Sequence, residues 1–93
     1  MSAWFYILRL RSQGLYCGST KDLQSRLKDH FSGYGARTSR IDPPIFLTYS
    51  EEYPTYKEAF RREQQVKRWS RAKKEVLIKG DFESLKRLSK RKK

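Results

Sequence analysis

The chain has 93 residues, with 22 Lys+Arg against 10 Asp+Glu and a formal net charge of +12; that length suits one small domain with a modest core, and a charge so large points to a polyanionic partner, nucleic acid before an anionic membrane surface. No apolar run approaches the ~20 residues of a membrane span, and no basic segment followed by an apolar one opens the chain as a leader would. A single Cys and a single His exclude an internal disulfide framework and a Cys/His zinc site within one copy and fit a reducing, cytoplasmic setting, while a P-loop and a dinucleotide fingerprint are both missing.

Trp4–Leu10 and Leu15–Gly18, rich in aromatic and aliphatic residues, flank the polar turn Arg11–Gly14 and read as a β-hairpin. The first run is apolar on both faces, with Trp4, Tyr6, Leu8 and Leu10 on one and Phe5 and Ile7 on the other, so it belongs inside a sheet. Tyr6 and Tyr16 share a face if the hairpin loop holds an odd number of residues and oppose each other if it holds two. As hairpin residues alone, both read as core aromatics with a hydroxyl at the edge.

Ser19 or Thr20 is expected to cap a first helix, Asp22 completing a capping box, and the helix runs from Lys21 to about Phe31 before Gly33 and Gly35. Leu23, Leu27 and Phe31 form its apolar stripe, with Arg26 and His30 neighbours on one flank. Residues 32–44 form a loop carrying Arg37 and Arg40. Ile45–Tyr49 is a third strand, expected to pair with the hairpin and to be ended by Glu51–Pro54. Thr55 with Glu58 makes a second capping box, opening a helix to about Trp69.

In that helix Tyr56, Ala59, Phe60 and Val66 define the apolar stripe, and Glu63 falls in its middle. A carboxylate on a core-facing side is costly unless it is paired, protonated or bound to a cation. Two readings stand: a structural ion pair, for which Arg26 is a candidate, or a functional acid. Ser70–Lys79 is a third helix with Ala72, Val76 and Leu77 inward and Arg71, Lys73 and Lys74 outward. Gly80-Asp81 stops it and starts a last helix to Leu88, turning Phe82, Leu85 and Leu88 to the core. Ser89–Lys93 is a basic tail. The expected architecture is α+β: a small three-stranded antiparallel sheet flanked by helices in the order β-β-α-β-α-α-α, with a single domain over 1–88 and the tail over 89–93.

Phe5-Tyr6-Ile7 and Tyr16-Cys17-Gly18, with Cys17 where Ile is common, resemble the paired signature of the GIY-YIG nuclease superfamily. Arg26 and His30 stand where its pattern has an arginine and then a histidine in the first helix, and Glu63 where it has a glutamate after the third strand. Five elements in order, over nearly the whole chain to about Leu88, resemble the small stand-alone bacterial branch, likened to the nuclease subunit of excision repair. Thr38 departs from the pattern, in a place where a tyrosine is expected.

The resemblance implies a metal-dependent endonuclease cutting phosphodiester bonds in DNA, in repair or recombination. Glu63 would be the metal ligand, and carboxylate oxygen suits Mg²⁺ or Mn²⁺. Arg26 would stabilise charge developing on the phosphate. Tyr6 would be the general base and Tyr16 would orient water or phosphate. His30 competes as base because its pKa suits proton transfer near neutrality. Gly18 would let backbone approach the site. Gly18, Arg37, Arg40, Arg62, Lys67, Arg68, Arg71 and Lys73 would track the nucleic acid; for any one basic residue a solvated face is the commoner reading, and the set together with the +12 charge favours nucleic acid. A partner protein could target the substrate. Rival readings are a non-catalytic basic nucleic-acid-binding module on the same fold and a structural protein of a ribonucleoprotein particle.

Overall fold

The computed structural model describes residues 2–32 and 42–80. The expected loop residues Gly33, Gly35, Arg37, Thr38 and Arg40, the helix over 81–88 and the basic tail lie outside the described residues. Within them the elements are β1 (Ala3–Leu10), β2 (Leu15–Thr20), α1 (Leu23–Ser32), β3 (Pro44–Tyr53), α2 (Tyr56–Lys67) and α3 (Arg71–Lys79). The strands form one antiparallel sheet in the order β2-β1-β3, the α+β arrangement that the hairpin and capping signals indicate. No helix among the described residues is long and apolar enough to cross a membrane.

β1 lies in the middle because both its faces are apolar: Phe5, Ile7 and Leu8 are wholly buried and Tyr6 nearly so. Its turn into β2 is closed by the Leu10 N–H donating to the Gly14 carbonyl and the Gln13 N–H donating to the Leu10 carbonyl. The loop between them is Arg11 to Gln13, with the left-handed conformation at Gln13 (φ 76°) rather than at Gly14. This is the three-residue hairpin loop with a left-handed last residue. Being odd, it places Gly18 opposite Tyr6 and Tyr16 opposite Leu8, so the two tyrosines share a face. Asp42 ties the turn to the start of β3, accepting from the Ser12 N–H at 3.1 Å and the Ser12 hydroxyl at 2.5 Å.

The opposite face of the sheet holds the hydrophobic core: Phe5, Ile7 and Cys17 against Val66 of α2 and Leu77 of α3. Burial of each large side chain there is worth about 1.5–3 kcal/mol. Across β1, Phe5 pairs with Ser19 on one side and Glu51 on the other. Two adjacent residues of α2 grip this row at both ends. Glu63 Oε1 accepts from the Ser19 hydroxyl at 2.6 Å, and Arg62 Nε donates to Glu51 Oε1 at 3.0 Å. Glu75 of α3 receives two hydrogen bonds from Arg9, at 2.8 and 3.0 Å.

Several local expectations change. The first helix is capped by Asp22, whose carboxylate accepts from the Ser25 N–H at 3.1 Å, and not by Ser19 or Thr20; Thr20 instead accepts from the Asp22 N–H. Its buried residue is His30, while Phe31 is 47% exposed, so the buried face is rotated toward the Arg26–His30 flank. β3 runs on to Tyr53 because Glu51 is a paired strand residue and not a terminator. α2 begins at the Thr55 cap as expected but ends at Lys67, two residues short of Trp69. Tyr56 and Phe60 lie outside the core, and so does Ala72. α3 begins after the Ser70 cap and stops at Gly80, whose φ of 76° suits glycine.

Candidate active site

Tyr6, Tyr16 and His30 meet on the face of the sheet opposite the core. Tyr6 and Tyr16 come from neighbouring strands, and His30 from the last turn of α1. The imidazole stands edge-on to both phenol rings, with centroids 5.9 Å from Tyr6 and 5.2 Å from Tyr16. Tyr6 Oη lies 3.1 Å from His30 Nε2. One turn earlier on α1, the Arg26 guanidinium acts on the same phenol and favours its ionised form. Tyr6 and His30 are each 1% exposed, whereas Tyr16 and Arg26 are half-buried. Tyr16 and Arg26 are therefore the members of the group that solvent reaches.

Gly18 makes the geometry possible. A Cβ at this position would lie 2.5 Å from the Tyr6 hydroxyl and 2.6 Å from the ring carbon bearing it. The tip of the Tyr6 ring occupies the space that any other residue would fill. Because Gly18 sits on β2, at the edge of the sheet, the phenol is brought out to that edge.

Burial pushes the Tyr6 pKa up to about 12; the Arg26 guanidinium pulls it down but does not cancel the burial, and the Tyr16 and Glu63 charges add to the rise. Burial, and then the Arg26 guanidinium, lower the His30 pKa, with Asp29 opposing them. At neutral pH the pair is thus a protonated phenol beside a neutral imidazole.

Glu63 reaches the same edge from the core side. It is 8% exposed and is anchored to Ser19, the residue after Gly18. Its other oxygen lies 3.1 Å from Lys67 Nζ, one helical turn on, with the Lys67 side chain 51% exposed. The expected partner, Arg26, is not the one that pairs with it: α2 packs on the far face of the sheet from α1, and Lys67 is the i+4 neighbour on α2 itself. Glu63 acts on Tyr6 through space, its charge helping to raise the phenol pKa. The two halves of the constellation therefore wrap around the β2 edge at Gly18 and Ser19.

As a metal ligand the site offers one hard carboxylate. No cluster of three or more His, Cys, Asp or Glu able to hold an ion occurs among the described residues. A single, oriented carboxylate that already attracts an ammonium fits a small divalent cation that keeps most of its waters and takes the rest of its ligands from phosphate.

The basic residues expected to track nucleic acid divide. Lys67 lies beside Glu63, and Arg68 is exposed. Arg62 is committed to Glu51 and lies over the Trp69 ring at 5.1 Å. Arg71 pairs with Glu75 at 2.8 Å, and Lys73 Nζ also lies over the Trp69 ring, at 4.2 Å. Arg37 and Arg40 lie outside the described residues. Sequence reasoning missed Ser19 as the anchor of Glu63.

A family model described as the GIY-YIG catalytic domain matches residues 2–76. The chain belongs to the GIY-YIG family. This GIY-YIG domain is 43% identical over 75 residues to a UPF0213 protein of Bacillus pumilus, covering 81% of this chain and 76% of that one. It is 38% identical over 78 residues to a UPF0213 protein of Staphylococcus aureus, covering 84% and 95%. The solution NMR structure of a UPF0213 protein from Bacillus halodurans resembles it with a TM-score of 0.56 at 39% identity, over 85% of this chain and 84% of that one. A protein of E. faecalis solved by the same method gives 0.59 at 32% identity, over 88% of each. GIY-YIG is a nuclease family, whose members act on nucleic acid and typically use a divalent metal ion.

Proposed function

We propose that this GIY-YIG domain is a metal-dependent endonuclease that hydrolyses phosphodiester bonds in cytoplasmic DNA, in repair or recombination, as a single domain over residues 1–88 with a basic tail and with a partner protein to target it. The observation that carries this reading is the Tyr6–His30 contact at 3.1 Å, within reach of the Arg26 charge. A phenol with a pKa of about 12 is ionised in only about one molecule in 10⁵ at pH 7, so Tyr6 alone is a poor base. With the neutral imidazole behind it, Tyr6 and His30 act in series. As water attacks phosphorus, its proton passes to the Tyr6 oxygen while the Tyr6 proton passes to His30 Nε2. The leaving oxygen takes its proton from solvent. The phosphate offsets the imidazolium formed next to Arg26, which also holds the charge developing on the phosphate oxygens.

Tyr16 orients the attacked phosphate from the half-buried side of the site. Glu63, fixed by Ser19, would hold Mg²⁺ or Mn²⁺. When bound, that ion neutralises phosphate charge and eases departure of the leaving oxygen.

Nicking of a supercoiled plasmid in Mg²⁺, followed across pH, tests this reading. The wild type should cut, with an acid limb below pH 6.5 set by His30, whose pKa is lowered. Tyr6→Phe should lose a factor of ~10²–10⁴ while remaining folded. A Tyr6→Phe protein that cuts at the wild-type rate with the same pH profile would remove the relay.

A further inference from the structure

Tyr56 and Phe60 share the apolar stripe of α2 with Ala59 and Val66 by spacing, yet they are 40% and 44% exposed. One helical turn apart, their rings lie stacked, with centroids 6.1 Å apart and planes inclined by 26°. The pair sits beside the candidate active site: the Tyr56 hydroxyl is 3.4 Å from Ser19 Oγ, which in turn donates to Glu63. A cleft of about 380 Å³ opens beside Tyr56, with Lys21 and Pro54 on its walls. A second, of about 480 Å³, opens beside Phe60, with Arg61, Arg68 and Trp69 on its walls. Each ring thus borders a cleft, one with Lys21 and the other with Arg61 and Arg68 on its walls, in a chain of net charge +12.

We propose that the Tyr56–Phe60 pair is a stacking site for an unpaired nucleobase of the substrate strand, next to the phosphodiester that is cut. Three features identify this occupant. Solvent-facing aromatic rings recognise the flat face of a base without regard to its sequence. Cations beside each ring suit the phosphates before and after that base. A base in a continuous duplex has its faces covered by its neighbours, so only a single-stranded or splayed nucleotide can use the site. The inference rests on the nuclease reading above and adds a preference for unpaired nucleotides near the scissile bond.

The test is binding without metal, by fluorescence anisotropy at low salt in a chelator. The probes are a labelled oligothymidylate of ~12 nucleotides, a duplex of equal length and an abasic sugar-phosphate strand of equal length. The wild type should prefer the oligothymidylate to both others. Tyr56→Ala and Phe60→Ala should each weaken oligothymidylate binding by roughly 5- to 100-fold and change duplex and abasic binding by less than about 2-fold. Tyr56→Phe should bind as the wild type does, since the ring remains. Thermal melts should show all three variants folded, as both side chains are exposed.

Equal losses on all three probes, or no loss on any, would overturn the stacking site while leaving a nuclease. Wild-type protein that binds none of the probes would overturn the nuclease reading with it. A dimer of the wild type that the alanine variants dissolve, with oligothymidylate affinity unchanged, would assign the rings to a second copy of the chain instead.

Discussion

Glu51 and Glu63 are two largely buried acids that serve the same face of one sheet, joined through a single row of residues, Ser19–Phe5–Glu51. They are held in opposite ways. An ionised carboxylate offers about four acceptor positions, and Glu51 uses all of them internally: the Tyr49 and Tyr53 hydroxyls and two nitrogens of Arg62 supply two donors to each oxygen. Burial would raise its pKa, but these donors outweigh burial and hold it below the usual carboxylate value. Glu63 has one hydroxyl on one oxygen and one half-exposed ammonium on the other. Its remaining acceptor capacity is unused, and its charge is felt by Tyr6. Burial therefore does not distinguish the two acids, whereas unused acceptor capacity does.

The sharpest break in this comparison is Glu63→Gln. Cleavage in Mg²⁺ should fall by at least ~10³-fold. The melting temperature should move by only a few degrees, because an i,i+4 pair with an exposed lysine is worth about 0.3–0.5 kcal/mol. A protein that melts much earlier yet still cuts would put Glu63 in the same class as Glu51.

Next in size is Glu51→Gln, which leaves Arg62 facing an amide and two phenols short of an ionic acceptor. A loss of about 2–3 kcal/mol is expected, or roughly 10–20 °C in melting temperature for a chain of this size. The rate constant for cleavage by the folded fraction should be that of the wild type, and a rate loss larger than the loss of folded protein would contradict the division of labour.

The smallest effect sharpens the comparison through pH. Because the folded-state pKa of Glu51 is depressed, its contribution is complete above the unfolded value of about 4.5 and is lost as pH falls through the folded value. The gap in melting temperature between the wild type and Glu51→Gln should be constant near neutrality and should close below pH ~4.5. A gap that stays open down to pH ~2 would mean that ionisation of Glu51 plays no part in its hold. Glu75, whose pKa the Arg9 hydrogen bond brings down to about 2, weakens over the same acid range but does so in both proteins.

Much of this was legible in the chain. Apolar residues on both faces of Trp4–Leu10 placed β1 in the middle, and the Thr55 and Gly80 signals marked real helix boundaries. What escaped depended on contacts between distant segments. Helical periodicity treats histidine as a flank residue, but His30 is buried because two tyrosines from the hairpin enclose it. Ser19 lies 44 positions from Glu63, and no periodicity reports such a pair. Lys67 was available in the sequence as the i+4 neighbour of Glu63. So was the alternation Tyr49-Glu51-Tyr53, whose period of two marks continuing strand. Tyr56 and Phe60 fit a helical stripe by spacing alone, and only the packing of α2 on β2 reveals that they fall beyond its covered part.

β1 serves two trades with alternate residues. Phe5 and Ile7 hold the helices of the core, while Tyr6 contacts His30 one peptide away on the reverse side. Substitutions on either side can accumulate almost independently. Insertions and deletions cannot, because a shift of a single position turns the whole strand over. Lineages descended from such a chain would diverge freely in the composition of this strand, yet keep its length and the count of residues from Tyr6 to Gly18 fixed.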